Sequence, residues 1–342
     1  MKNILFRADS SSEIGIGHIT RDLVLAKQYK LDSITFATQD LPGNINDYIR
    51  KCGHRLLHLK SNAVEEMINI ISDEKIDMIV IDHYGIDLEY EKKLKEQCDI
   101  LLLVLDDTYQ PHFCDILLNH NLYADESKYA GLIPERCELR CGAEYTLIDD
   151  QFMDENLKIS NLSDPRSHFN VFVAMGGSDH SNILMKILLV LAEYPNLRPI
   201  VVTSTAKQHL EELIKYVAGK ASVSLHVNPE NMASLMHNSD YAIITPSALV
   251  HEILQFQLPF IAIKTADNQS HMLEYLKDSH FITMECFDSE LLLTNVRKLI
   301  GEPGSIFKNF IDLSMSEKLM ILDWRNNPGI RKWMLAKETI SQ

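Results

Sequence analysis

"SSEIGIGHIT" occupies Ser11–Thr20, between the short apolar run "NILF" (Asn3–Phe6) and the amphipathic stretch "HITRDLVLAKQY" (His18–Tyr29). A branched run too short for a helix, glycines that permit a tight turn, and apolar residues at helical spacing read as a strand–loop–helix junction. A dinucleotide fingerprint would need a third glycine where Thr20 stands, and a nucleotide-triphosphate loop would need Gly-Lys-Ser/Thr. Neither is present. What remains is a histidine, His18, at the first turn of a helix beyond a strand end. Asp9, Ser10, Ser11, Ser12 and Gly17 lie on the same loop, and Arg21 follows one helical turn later. An imidazole with an intrinsic pKa of about 6.5 can take a proton from water near neutral pH.

The same alternation continues outward. "SITFAT" (Ser33–Thr38), "MIVID" (Met78–Asp82) and "ILLLVLD" (Ile100–Asp106) read as buried strands, and "VEEMINIIS" (Val64–Ser72) and "LEYEKKLKEQ" (Leu88–Gln97) as helices. After a polar, turn-rich stretch the pattern restarts with "NVFVAMGGSDHSN" (Asn170–Asn182), followed by strands at "PIVVTS" (Pro199–Ser204), "YAIITP" (Tyr241–Pro246) and "FIAI" (Phe260–Ile263). The predicted fold class is α/β, with two Rossmann-like domains facing a cleft. The expected boundaries are a first domain over 1–150, a linker over 151–167, a second domain over 168–302 and a tail over 303–342.

Ligands in such sheets bind beyond the carboxyl ends of the strands. Three junctions of the second half fall there: Gly176, Gly177 and Ser178 in "AMGGSD"; Ser247, Leu249 and Glu252 in "TPSALVHE"; Asn268 and Gln269 in "KTADNQ". Exposed amides and helix starts at these points suit a nucleotide diphosphate, with Glu252 accepting from ribose hydroxyls.

Composition narrows the class. Of 342 residues, 46% are apolar and 24% charged, and no apolar run approaches the roughly 20 residues of a membrane helix. With 33 basic and 48 acidic side chains the formal charge is −15, which disfavours a nucleic-acid partner. No secretory leader opens the chain, so a cytoplasmic enzyme is expected. The six cysteines contain no Cys-x-x-Cys pair, and His54 and His58 in "HRLLHL" lie on a strand pattern, so no metal site is expected and no cofactor is called for.

"FRADSSSEIGIGHITRDLVLA", "IDHYG", "DILLNHN", "MGGSD" and "SALVHE" together resemble the UDP-sugar hydrolases of bacterial pseudaminic acid biosynthesis, relatives of the peptidoglycan N-acetylglucosaminyltransferase with a two-domain glycosyltransferase-B fold. The resemblance runs from about Met1 to Ile300. It implies metal-independent, inverting hydrolysis of UDP-2,4-diacetamido-2,4,6-trideoxy-β-L-altropyranose to free sugar and UDP, a step that serves flagellin glycosylation. By that resemblance His18 is the catalytic histidine and Tyr84 an active-site tyrosine that positions water or sugar. A glycosyltransferase, with His18 deprotonating an acceptor hydroxyl, and a non-catalytic UDP-sugar sensor are the alternatives. One departure stands out: Asp149, in "YTLIDDQF", holds a place where an arginine is expected. The tail segment "LMILDWRNNPGIRKWML" (Leu319–Leu335) resembles the opening of a GCN5-related N-acetyltransferase, implying a fused or missing acetyltransferase domain but no acetyl transfer by these residues. Without that resemblance it reads as an amphipathic helix with Trp324 and Trp333 packed on the body.

Overall fold

The computed structural model describes residues 1–153, 168–176, 182–205 and 209–300. Gly177, Ser178 and the tail with Trp324 and Trp333 lie outside them. Two compact units divide between Leu293 and Thr294, and the larger contains both sheets.

The first sheet is built from β1 (Asn3–Ala8), β2 (Ser33–Gln39), β3 (Arg55–Leu59), β4 (Met78–Asp82), β5 (Leu101–Leu105), β6 (Ile116–Asn119) and β7 (Glu138–Cys141). Its helices are α1 (Gly17–Ala26), α2 (Asn46–Lys51), α3 (Val64–Asp73) and α4 (Leu88–Gln97). The spatial order is β3-β2-β1-β4-β5-β6-β7, and every pairing is parallel. The second sheet takes β8 (Phe169–Ala174), β9 (Leu197–Thr203), β10 (Ser224–Val227), β11 (Tyr241–Ile244), β12 (Phe260–Ile263) and β13 (Ile282–Met284), in the parallel order β10-β9-β8-β11-β12-β13. It is accompanied by α5 (Ile183–Leu191), α6 (Leu210–Val217), α7 (Met232–His237), α8 (Leu249–Gln255), α9 (Ser270–Asp278) and α10 (Ser289–Ile300).

The strand period of two explains the layers. Ile4, Phe6 and Ala8 of β1 join Ile19 and Leu23 of α1 in one core, whereas Leu5 joins Met67 of α3 and Leu94 of α4 in the other. The helix ends follow local chemistry as well: Asp87 caps α4 by accepting from the Tyr90 amide, with Glu89 and Glu91 in the first turn and Lys95 in the last.

Both sheets reverse their strand order beside the first strand of the set, between β1 and β4 and between β8 and β11. A crevice opens beyond the carboxyl ends at each such point. The loop after β1 leads into α1, whose first turn carries His18, and Asp82 ends β4. Gly176 follows β8 and Thr245 follows β11; a Cβ built on Gly176 would stand 3.9 Å from the Thr245 hydroxyl. The halves also share apolar contacts. Leu122 and Phe152 join the core of the second sheet, with the Phe152 ring 6.3 Å from that of Phe256.

Candidate active site

The loop from β1 to α1 is held by its own serines. Ser11 Oγ accepts from the amides of Glu13 and Ile14, Ser11 and Gly15 exchange backbone bonds, and Ser10 Oγ accepts from the Ile45 amide. Gly15 sits at φ +84°, a conformation that favours glycine, whereas a Cβ on Gly17 would meet no atom within 4 Å. Gly15 therefore makes the turn, and Gly17 leaves open space beside His18.

His18 is buried to 7% exposure, and its Nδ1 lies 2.6 Å from Oδ1 of Asp82. Arg21 Nη2, a donor, also lies 3.2 Å from this Nδ1, but the carboxylate is closer and can only accept when ionised, which favours the proton on Nδ1 and leaves Nε2 free. Arg21 approaches the same carboxylate through Nε at 2.5 Å and also through Nη2. Burial by itself would raise the Asp82 pKa, but the charges and hydrogen bonds of Arg21 and His18 outweigh it and hold the carboxyl well below its usual range. The neighbouring Asp22 carboxyl has no hydrogen-bond partner, and burial and the Asp82 charge raise its pKa against the opposing charge of Arg21.

Arg21, expected to touch substrate, is taken up within the protein, for its Nη1 also donates to Asp107 Oδ2 at 2.9 Å. Asp107 in turn accepts from the Tyr84 hydroxyl at 2.9 Å, and the Tyr84 ring stands edge-on to His18 with centroids 4.7 Å apart. Asn268, from the second sheet's half, stands beside the same tyrosine hydroxyl. Partial burial, with 52% of the residue still exposed, and the Asp107 charge raise the phenol above its ordinary value, so the hydroxyl is neutral.

The other expected contacts make bonds within the protein. Asp9 is 1% exposed; its Oδ2 accepts from Arg7 at 2.7 Å and faces His83 Nε2 at 3.1 Å, and its Oδ1 accepts from the Gln39 amide. These bonds tie it to β1, β2 and the loop after β4. The Gln269 side-chain Oε1 accepts from the Thr265 and Ala266 amides and so ties its own loop. Ser247 Oγ is 3.1 Å from Thr245 Oγ1, and Leu249 packs against the core of the second sheet. Glu252 is half-buried on α8; burial and the charge of Asp149 push it up to about 8. Asp149 itself accepts from Lys27 Nζ at 2.6 Å and from the Gln151 amide at 3.1 Å, so it joins the end of α1 to the turn at Asp150–Phe152.

Sequence reasoning missed Asp82 and Asp107, although both are acids at strand ends in "MIVID" and "LLLVLDD", the position from which such sheets furnish functional groups. It also missed His120 and His251, buried imidazoles 5.4 Å apart with no hydrogen-bond partner. Burial keeps both neutral, lowering His251 to about 4. Among the described residues no set of His, Cys, Asp and Glu is grouped as metal ligands, and no helix is long and apolar enough to cross a membrane.

Two all-parallel sheets, with a histidine–carboxylate pair at the switch point of the first, define an enzyme of the glycosyltransferase-B fold. Solved structures agree. MurG of Acinetobacter baumannii superposes with a TM-score of 0.55 at 13% identity, covering 88% of this chain and 91% of MurG. Anabaena HepE, in complex with UDP and glucose, gives 0.58 at 12% identity, covering 88% and 90%. No family model matches the chain. A protein of Campylobacter jejuni subsp. jejuni serotype O:2, UDP-2,4-diacetamido-2,4,6-trideoxy-beta-L-altropyranose hydrolase, is 39% identical over 274 residues, which make up 80% of this chain and 95% of that protein. The chain belongs to this UDP-sugar hydrolase family.

Proposed function

We propose that the chain hydrolyses a UDP-linked diacetamido-trideoxy sugar with inversion at the anomeric carbon, and that His18 activates the water. The observation that carries the mechanism is the 2.6 Å contact between His18 Nδ1 and Asp82, which leaves Nε2 as the proton acceptor. The water oxygen bonds to C1 as the bond from C1 to the diphosphate oxygen breaks. The electron pair leaves with UDP, and one water proton passes to His18 Nε2 and then to solvent. Asp82 stabilises the imidazolium that forms, and Arg21 keeps Asp82 ionised.

UDP is a good leaving group, so the second half has to hold and neutralise a diphosphate more than protonate it. Gly176, at φ +74° beside Thr245, lets backbone approach a ligand closely, and Ser247, Glu252 and Asn268 lie at neighbouring strand ends. Gly177 and Ser178 belong to the same proposed contact. The likeness to HepE, solved with UDP and glucose, supports a UDP ligand, as does the substrate named for the Campylobacter jejuni relative.

Hydrolysis of that UDP-sugar in heavy-oxygen water, followed by mass spectrometry and NMR, tests the reading. Label on C1 of the free sugar with the inverted anomer appearing first is expected. Label on the UDP phosphate would place the attack at phosphorus and defeat the mechanism.

A further inference from the structure

One turn of the second half meets the first half twice. Asn268 stands beside the Tyr84 hydroxyl, and three residues later His271, near the start of α9, lies between two tyrosines. Its ring centroid is 5.4 Å from that of Tyr109, edge-on, and 5.6 Å from that of Tyr123, tilted by 35°. Neither tyrosine is loose. Tyr109 holds φ +58°, a left-handed conformation that is uncommon outside glycine, and its hydroxyl accepts from the Asp125 amide at 3.1 Å. The Lys128 ammonium stands 4.8 Å from its ring, and the Tyr129 ring packs at 5.0 Å. The Tyr123 hydroxyl donates to the Asp107 carbonyl at 2.9 Å, and the Asp107 side chain is the one that holds Tyr84 and Arg21.

The cup that receives His271 is thus tied to the same residue that orients Tyr84. We infer that His271, seated between Tyr109 and Tyr123, is a positioning residue that brings Asn268 onto Tyr84 and so sets the spacing between a nucleotide sugar held by the second half and His18 in the first. This rests on the hydrolytic reading of the site above. Its physical basis is that reacting atoms must be held near contact distance, and a misplacement of about 1 Å can cost on the order of 100-fold in rate. A ring between two rings sets such a spacing through shape, with no charge needed.

The test uses the full chain and four variants: His271→Ala, His271→Phe, Asn268→Ala and the Asn268→Ala/His271→Ala double substitution. Single-turnover hydrolysis, UDP affinity by calorimetry and backbone hydrogen exchange over residues 106–129 are measured on each. His271→Ala is expected to slow the single turnover by about 10- to 100-fold, leave UDP affinity within about twofold and speed exchange in the cup. His271→Phe should restore both rate and protection. In the Asn268→Ala background, loss of His271 should add less than about threefold, because residues that act through one another are not additive. An unchanged rate for His271→Ala, failure of phenylalanine to rescue, or equal losses in both backgrounds would overturn the inference. Exchange does not depend on turnover. If His271→Ala loosens the cup and His271→Phe restores it while the wild-type chain hydrolyses no UDP-sugar, the clasp stands and the hydrolytic reading fails.

Discussion

Asp82, the last residue of β4, holds the Nδ1 edge of His18 at 2.6 Å although 64 residues separate the two in sequence. The pair fits the base role proposed for His18. His18→Asn should cut the single-turnover rate by roughly 100- to 10,000-fold, the usual contribution of a general base, with UDP affinity little changed because the proposed nucleotide contacts lie in the other half. Near-normal turnover would remove His18 as the base. A matching loss of UDP affinity would make it a binding residue.

Asp82→Asn keeps the shape but removes the charge that stabilises the imidazolium and pairs with Arg21. Removing the carboxylate that orients a general-base imidazole costs up to about 10,000-fold, and thermal stability should fall because Arg21 retains one carboxylate, Asp107, in place of two. In a His18→Asn background the same change should hardly alter the remaining rate. An equal loss in both backgrounds would show that Asp82 acts apart from His18.

The two glycines of the loop should respond differently to alanine. Gly15→Ala forces a side chain into φ +84° and should destabilise by about 1–2 kcal/mol. Gly17→Ala places a methyl in open space at the start of α1, so melting temperature should hold while KM for the UDP-sugar rises. Calorimetric melting and steady-state kinetics on both variants separate the turn glycine from the ligand-facing one. An unchanged KM for Gly17→Ala would place the ligand elsewhere.

Away from the site, His112 offers a pH signature. Burial alone would depress its imidazole, but Asp106, 3.8 Å from Nε2, and Glu91, 2.7 Å from Nδ1, lift it to about 9. A folded-state value above the unfolded value of about 6.5 means this stabilisation is complete below that pH and is lost as pH rises through 9. At about 1.4 kcal/mol per unit, the effect is on the order of 3 kcal/mol. Melting temperature should therefore decline between pH 6.5 and 9, and His112→Gln should flatten that part of the profile.

Glu252 titrates in a related window for the opposite reason. Burial and Asp149 raise it to about 8, so the carboxylate that would accept from ribose hydroxyls forms only as pH climbs through that value. UDP affinity should increase across that range, and Asp149→Asn should move the midpoint to lower pH. Calorimetric titrations at several pH values check both. An unmoved midpoint would remove Asp149 as the cause.

The sequence by itself determined the order of elements and the place of the histidine. "MIVID", "FIAI" and "LEYEKKLKEQ" match β4, β12 and α4 residue for residue, because period and length are local properties of a buried parallel strand or a half-buried helix. The glycines before His18 likewise announce a strand-to-helix turn whatever surrounds them. The partners of His18 were a matter for the tertiary structure. The order β3-β2-β1-β4-β5 puts β4 next to β1, so Asp82 reaches His18; Asp107, beyond β5, reaches Arg21 and Tyr84. For the same reason Asp9 and Arg21, polar residues near a histidine on paper, prove to be engaged with Arg7, His83, Asp82 and Asp107. A local pattern says which residues stand at a strand end; only the order in which strands pair and the way the halves meet decide which of them touch each other and which are left to face a ligand.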